Sequence, residues 1–167
     1  MTNAPLFFYQ RPAFWGCVTV TLSFALDQLT KWFLLAHVMN PPRNIPVTFF
    51  FDIVMAFNRG VSFSLFAQDS RTGVLVLCAV ALGIVALLSY WMLRAPSKIL
   101  GVALGLMIGG ALGNLIDRLR IGAVVDFLYF HWGPHGFPAF NVADTAITIG
   151  VGLILLDSSL EGRNRSK

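Results

Sequence analysis

The chain has the composition of a membrane protein. Hydrophobic residues make up 56% of its 167 residues, charged residues only 12%, and its mean hydropathy is +0.72. These values exclude an ordinary water-soluble domain. The net charge of +4 could suggest a nucleic-acid ligand, but the basic residues are scattered between apolar runs and form no patch with interleaved aromatic residues. We therefore expect one integral membrane domain over residues 1–167 with no nucleic-acid partner.

Four apolar segments predict membrane-spanning helices, since a span needs about 20 mostly apolar residues to cross a hydrocarbon core about 30 Å thick. They cover approximately residues 14–36, 73–93, 99–118 and 139–156. The first could instead be a signal peptide, because Arg11 precedes an apolar core of suitable length. The polar pair Asp27-Gln28 directly after that core is a poor cleavage region, so we expect a retained helix.

Basic residues predict the orientation of these helices. They crowd the short loop between the second and third spans and the C-terminal end, as the positive-inside rule describes for cytoplasmic segments. These residues are Arg94, Lys98, Arg163, Arg165 and Lys167. Both termini are therefore expected in the cytoplasm, and residues near 37–72 and 117–138 outside it.

The outer region after the first span has the pattern of β structure over approximately residues 44–68. The segment 47–57 is rich in β-branched and aromatic residues, Asn58-Arg59-Gly60 is typical of a turn, and Val61, Phe63 and Leu65 alternate with serines. We predict a hairpin or small sheet. Its aromatic content favours a position on or in the membrane interface.

Glycines in the third span predict a tightly packed helix. Gly101, Gly105, Gly109 and Gly113 recur at intervals of four, a pattern that lets a neighbouring helix approach closely. Continuing the interval reaches Asp117, whose side chain should therefore point toward a neighbouring helix and not toward lipid.

Ionisable residues near the ends of the spans are candidates for function, because charges at membrane depth are costly. Asp27 and Lys31 have i, i+4 spacing, so an ion pair at the membrane boundary would also explain them. Asn114, Asp117 and Arg118 share one helical face, and Asp117 with Arg118 could form a boundary charge cluster.

Asp126 and Asp144 are the strongest candidates for catalytic residues. The chain leaves the membrane after the third span and re-enters with the fourth, so both acids return to the same membrane face. Two neighbouring carboxyl groups in a poorly solvated site share a proton, so one can activate water while the other polarises a carbonyl. The alternative for Asp144 is capping of the fourth helix or a favourable interaction with its dipole.

No metal or cofactor site is expected from the sequence. His131 and His135 have i, i+4 spacing, but Gly133-Pro134 between them argues against the helix that would bring both rings to one metal. Cys17 and Cys78 lie inside apolar stretches, where cysteine is usually a buried hydrophobe. The sequence has neither a Gly-x-Ser-x-Gly elbow nor a phosphate-binding glycine loop, which leaves carboxylate chemistry.

Five sequence blocks resemble, in order, the signature blocks of the bacterial lipoprotein signal peptidases, also called signal peptidases II. They are Asp27-Gln-Leu-Thr-Lys31, Asn58-Arg-Gly-Val-Ser-Phe63, Gly109-Gly-Ala-Leu-Gly-Asn-Leu-Ile-Asp-Arg118, Val124-Val-Asp-Phe127 and Phe140-Asn-Val-Ala-Asp144. The resemblance implies an all-α membrane protein of four transmembrane helices, with a small extracytoplasmic β-cradle and a short periplasmic helix. It places the enzyme in the bacterial inner membrane, with its active site near the outer face.

The resemblance also implies an aspartic endopeptidase that works without a cofactor. Its substrate would be a prolipoprotein carrying a diacylglyceryl group on a cysteine, cut on the N-terminal side of that cysteine. Membrane lipid would be its other partner, and the enzyme would act as a monomer.

By the same resemblance, Asp126 and Asp144 match the catalytic dyad. The matched blocks also supply residues that would orient the dyad or hold the substrate backbone. These are Asp27, Lys31, Asn58, Gly60, Asn114, Asp117, Arg118 and Asn141. The segment His131 to Phe137 matches no block and is expected to be a loop or gate.

Two other classes of membrane protein compete with an enzyme. A proton-coupled transporter component would also hold buried carboxylates, but it predicts acids near the bilayer midplane and repeat symmetry, and the sequence has neither. A purely structural membrane subunit would leave Asn58, Asn114 and Asn141 without a shared purpose.

Overall fold

The computed structural model describes the backbone of residues 11–60 and 71–165, and the side chains of residues 11–60 and 72–159. Four long helices and a small antiparallel sheet make up these residues. In chain order they are α1 (Pro12–Phe33) with a π-helical continuation (Leu34–Val38), β1 (Ile45–Thr48), β2 (Phe51–Asn58), α2 (Arg71–Met92), α3 (Lys98–Ile121), β3 (Val124–Trp132), β4 (His135–Gly136) and α4 (Val142–Arg165).

Helix α3 is the centre of the bundle and contacts the other three long helices. Its glycine stripe faces α1, because a Cβ on Gly105 would collide with the backbone oxygen of Gly16, and one on Gly113 with the Asp27 carboxylate. On another face, a Cβ on Gly110 would collide with the backbone oxygen of Ala143 in α4. The predicted close approach of a neighbouring helix is thus confirmed, and α4 also packs closely against α3 at a glycine.

A buried apolar cluster joins α2 to α3 at the end opposite the sheet. It consists of Leu88, Met92, Leu100, Leu104 and Ile108. The N-terminus of α3 is capped there by Ser97, whose Oγ accepts from Leu100 N at 3.0 Å and donates to the Asp157 carboxylate of α4 at 2.8 Å. This end of the bundle is therefore held by both apolar packing and a polar clamp.

At the other end, α3 stops at Gly122, which adopts φ +72° and donates its N–H to Arg118 O at 3.0 Å. A left-handed residue at this position is a common helix terminator, and glycine accepts it without a steric penalty. The chain reverses there and enters β3 two residues later, so β3 begins directly beside the last turn of α3.

The sheet has the order β1-β2-β3-β4 with antiparallel neighbours. Its register sets Asn58 of β2 opposite Val124 of β3, and Ala56 opposite Asp126. The predicted hairpin is confirmed for its described part, β1 and β2, while residues 61–68 of the predicted β region lie outside the described residues. Strand β3 is a correction, since the sequence pattern did not predict it.

The expectation of a loop between His131 and Phe137 is wrong for most of this segment. His131 pairs with Gly136 and Trp132 with His135, so the segment forms a tight hairpin between β3 and β4. Among the described residues no separate short helix lies on the sheet side of the bundle. The predicted start of the fourth helix at 139 is also early, because Phe140 still pairs with Leu128 of β3.

Three described helices are long and apolar enough to cross a membrane, and they correspond to the second, third and fourth predicted spans. They are Thr72–Met92, Lys98–Ile121 and Val142–Ser159. The chain is thus a multi-pass membrane protein. Helix α1 forms where the first span was predicted but does not meet the same criteria, so three of the four predicted crossings are supported by length and composition.

Candidate active site

The N-terminus of α4 is closed by a reciprocal capping interaction. Asn141 precedes the helix, and its Oδ1 accepts from Asp144 N at 3.0 Å, while Asp144 Oδ2 accepts from Asn141 N at 3.2 Å. This reciprocal pair of hydrogen bonds is a capping box. The capping interpretation of Asp144 is therefore correct, yet it accounts for only Oδ2, because Oδ1 of the same carboxylate accepts from Asn114 Nδ2 at 2.8 Å.

Asp126 lies on β3 with only 2% of its side chain exposed. Its Oδ1 accepts from Asn141 Nδ2 at 2.7 Å, and the side chain of Asn58 donates to the same carboxylate. Strand pairing accounts for this geometry, since Asn58 lies two residues beyond the position opposite Asp126. Three elements, β2, β3 and the start of α4, thus hold Asp126.

Two amides connect the carboxylates. Asn141 Nδ2 lies 3.1 Å from Asn114 Oδ1, and Asn114 Nδ2 donates to Asp144 Oδ1 at 2.8 Å. Lys31 determines which way the Asn114 amide is oriented in this series of hydrogen bonds, because its ammonium group only donates and lies 3.1 Å from Asn114 Oδ1. The oxygen of Asn114 must face Lys31, so its NH₂ group faces Asp144. Asp126 and Asp144 are therefore the two ends of one hydrogen-bonded unit.

A buried ion cluster supports this unit from α1 and α3. Lys31, 3% exposed, contacts Asp27 Oδ2 at 2.9 Å and Asp117 Oδ2 at 2.7 Å. The second oxygen of Asp27 accepts from Ala143 N at 3.0 Å, and Asp117 accepts from Val125 N at 3.2 Å. The predicted ion pair between Asp27 and Lys31 is thus present, and the cluster around it also connects α4 and β3 to α1 and α3.

Gln28 also belongs to this cluster, although no role was predicted for it. Its Nε2 lies 3.1 Å from Asp27 Oδ2, 3.1 Å from Asp117 Oδ1 and 3.2 Å from Gly113 O. Two hydrogens serve three acceptors, so the amide shares its donors among them. The spacing of three residues between Gln28 and Lys31 could have indicated this role from the sequence, since it places both side chains on one helical face.

Gly60 and Arg118 support the site from its edges. Gly60 has φ +89° and donates its N–H to Asn58 Oδ1 at 2.9 Å, which turns the NH₂ group of Asn58 toward Asp126. Arg118 Nη1 donates to Asn114 O at 3.2 Å, and its buried Nε has no hydrogen-bond partner among the described residues. All ten site residues predicted from the sequence therefore lie in or directly beside one network.

Burial and charge control the proton affinity of the site. Burial in a poorly solvated position, followed by the negative charge of Asp144, raises the pKa of Asp126 to about 6. Hydrogen bonds from Asn58 and Asn141 and the charge of Lys31 oppose this rise. The arrangement favours retention of one proton by the pair of carboxyl groups at mildly acidic pH.

A groove opens beside Asn114 and Arg118, between α2, α3 and α4. Its volume is about 250 Å³, and its remaining walls are apolar, with Ile84, Leu88 and Met107 among them. An apolar ligand lying in this groove would meet polar side chains only at the end that carries the site.

His131 and His135 lie in the β3–β4 hairpin at the far end of the sheet, beyond Asp126 along β3. His131 Nε2 is 3.2 Å from Asp52 Oδ1, and Asn44 Nδ2 donates to Asp52 Oδ2 at 3.0 Å. The bond from Asn44, together with His131, lowers the pKa of Asp52. No group of three or more histidine, cysteine, aspartate or glutamate side chains in the described part of the chain is placed to hold a metal ion.

Comparison with known proteins identifies the family. The family model described as signal peptidase (SPase) II matches residues 19–160. A lipoprotein signal peptidase of Azoarcus sp. (strain BH72) is 46% identical over 93% of this chain and 91% of its own length, and one of Acinetobacter baumannii (strain SDF) is 41% identical over 96% and 91%. The transporter alternative finds no support in these matches.

Solved structures agree with this result. One bacterial membrane enzyme, determined by the in meso method at 2.3 Å resolution, matches with a TM-score of 0.75 and 28% identity over 91% of each chain. A second, determined by the same method at 1.9 Å, matches with a TM-score of 0.72 and 30% identity over 85% of this chain and 90% of its own. The chain belongs to the signal peptidase II family of membrane peptidases.

Proposed function

We propose that the chain is an aspartic endopeptidase that removes the signal peptide from prolipoproteins carrying a diacylglyceryl-modified cysteine, cutting on the N-terminal side of that cysteine. The observation that carries this proposal is the pair of carboxylates, Asp126 and Asp144, joined through Asn141 and Asn114. The names of the relatives support the substrate class, since they are lipoprotein signal peptidases.

The surroundings of the two acids favour different roles. Asp144 accepts hydrogen bonds from Asn141 N and Asn114 Nδ2, one on each of its two oxygens. Burial raises the pKa of Asp126, which favours its protonated form. We therefore assign Asp144 as the base and Asp126 as the acid that donates to the scissile carbonyl.

In this mechanism Asp144 takes a proton from water as the water oxygen attacks the carbonyl carbon. Asp126 donates its proton to the carbonyl oxygen, which gives a neutral gem-diol intermediate. The C–N bond then breaks, the nitrogen receives the proton held by Asp144, and the carboxyl product returns a proton to Asp126. The two carboxyl groups supply both base and acid, so no cofactor is required.

Helix α1 is proposed as the fourth span, which would give both termini a cytoplasmic position. Its charged side chains, Asp27 and Lys31, are 0% and 3% exposed and satisfied within the protein. Its outward face carries Leu22, Leu26 and Leu29, which are 64%, 57% and 61% exposed. A helix with this distribution presents an apolar surface to lipid despite its ionisable residues.

This placement puts the site near the outer face of the bacterial inner membrane. The far end of the sheet supports it, because Phe49, Trp132 and Phe137 are 73%, 71% and 63% exposed, as expected of aromatic side chains in the membrane interface. The groove between α2, α3 and α4 would receive apolar parts of the lipidated substrate. We further propose that a monomer is sufficient, because every residue of the network comes from one chain.

Cleavage of a synthetic prolipopeptide by the purified full-length chain tests the proposal. Asp126→Asn and Asp144→Asn should each abolish cleavage, and the same peptide without its diacylglyceryl group should remain uncut. Asp52→Asn is the matched control, because Asp52 lies on the same sheet but outside the network. Wild-type rates in a folded Asp126→Asn or Asp144→Asn variant would disprove the dyad.

A further inference from the structure

A second groove lies between the C-terminal ends of α1 and α3 and shares no lining residue with the groove beside Arg118. Its volume is about 260 Å³, and its apolar walls come from Trp32, Leu35, Ala36 and Ile121. Lys31 and Asp117 form part of its lining, whereas neither catalytic aspartate does. The groove therefore borders the ion cluster that supports the two aspartates but does not include the aspartates themselves.

A cation without a partner lines this groove. The side chain of Arg120 is exposed and, within the described part of the chain, makes no hydrogen bond or ion pair. Lys31 in the same groove already contacts Asp27 and Asp117. Arg120 is thus the group that can accept an anionic ligand, and a guanidinium group matches the geometry of a phosphate oxygen pair.

We propose that this groove binds one anionic membrane phospholipid, with its phosphate on Arg120 and the first part of an acyl chain along Trp32, Leu35 and Ile121. The inference rests on the proposed position of the ends of α1 and α3 at the outer membrane boundary. The lipid group of the substrate fits less well, because a diacylglyceryl thioether carries no phosphate and would leave Arg120 unpaired. A free phosphate ion would leave the apolar walls uncovered.

Native mass spectrometry of the full-length chain tests this inference without depending on peptidase activity. The protein in detergent is mixed with equal amounts of phosphatidylglycerol and phosphatidylethanolamine that have the same acyl chains. The wild type should retain the anionic lipid in preference, and Arg120→Gln should reduce that preference about fivefold, the effect of one cation near an anionic lipid surface. Arg43→Gln is the control, because Arg43 is an exposed arginine like Arg120 but lies outside the helical bundle.

A second variant tests the apolar walls. Ala36→Trp should fill the groove and reduce retention of both lipids while leaving Arg120 in place. Equal retention by wild type and Arg120→Gln, or unchanged retention by Ala36→Trp, would overturn the proposal, and so would equal binding of the two lipids by the wild type. Asp126→Asn should retain lipid normally, so a failure of the peptidase assignment would be distinguishable from a failure of lipid binding.

Discussion

Asn141 allows the structural and catalytic parts of the site to be separated. Its Oδ1 caps α4, and its Nδ2 donates to Asp126. Asn141→Ala removes both interactions, whereas Asn141→Ser keeps a capping oxygen but cannot reach Asp126. A lost cap costs about 1 kcal/mol, and above about pH 6, where Asp126 is ionised, the lost hydrogen bond to its carboxylate costs about 1.5–3 kcal/mol. We expect Asn141→Ala to be destabilised by about 2–4 kcal/mol and Asn141→Ser by about 1 kcal/mol less.

The two variants should differ less in activity than in stability. Loss of the Nδ2 donor affects both, and about 1.5–3 kcal/mol corresponds to a reduction of about 10- to 150-fold in kcat/KM. Because the bond from Asn141 lowers the pKa of Asp126, its removal should raise that pKa further and move the alkaline limb of the pH profile upward.

Thermal unfolding and kcat/KM against pH, measured on the same purified preparations, provide the assay. Near-wild-type activity of Asn141→Ser would refute the reasoning, because it would show that the cap alone matters. An unchanged pH profile in both variants would refute the assigned link between Asn141 and Asp126.

Three further predictions follow from buried groups. Because the pKa of Asp126 is raised to about 6, the stability that its protonated form contributes is present below about pH 4 and is lost as the pH rises to about 6. Asp126→Asn cannot lose this contribution, so chemical unfolding should show the variant gaining stability relative to the wild type between these pH values. Lys31→Met should lower the unfolding free energy by about 3–5 kcal/mol, since Asp27 and Asp117 would lose their shared cation; an equally stable variant would contradict this. Gly113→Ala should impair both folding and cleavage because its Cβ meets the Asp27 carboxylate, whereas Gly152→Ala, which meets nothing within 4 Å, should not.

The helices were predictable because a long apolar run specifies a spanning helix from local sequence alone. The return of Asp126 and Asp144 to the same end of the bundle was also predictable from topology. Strand β3 was not, because its pairing joins Val124 to Asn58 across the whole of α2 and α3, and no local pattern reports so distant a partner. The role of Gln28 was hidden for the same reason, as its acceptors lie partly on another helix.

The capping box was readable from the four residues Asn141 to Asp144, yet capping and catalysis were treated as alternatives for Asp144. The structure shows that the two are compatible, because one oxygen of this carboxylate closes the capping box and the other accepts from Asn114. A local motif can therefore explain one oxygen of a carboxylate correctly while the other oxygen makes a tertiary contact.

The bond from Ala143 N to Asp27 Oδ1 joins residues 116 positions apart in the chain. During synthesis α1 leaves the ribosome first and α4 last, so this bond forms only when the last helix docks on the first. Asp144 lies in the same first turn of α4 as Ala143. A partly inserted chain therefore lacks the network that joins Asp126 to Asp144.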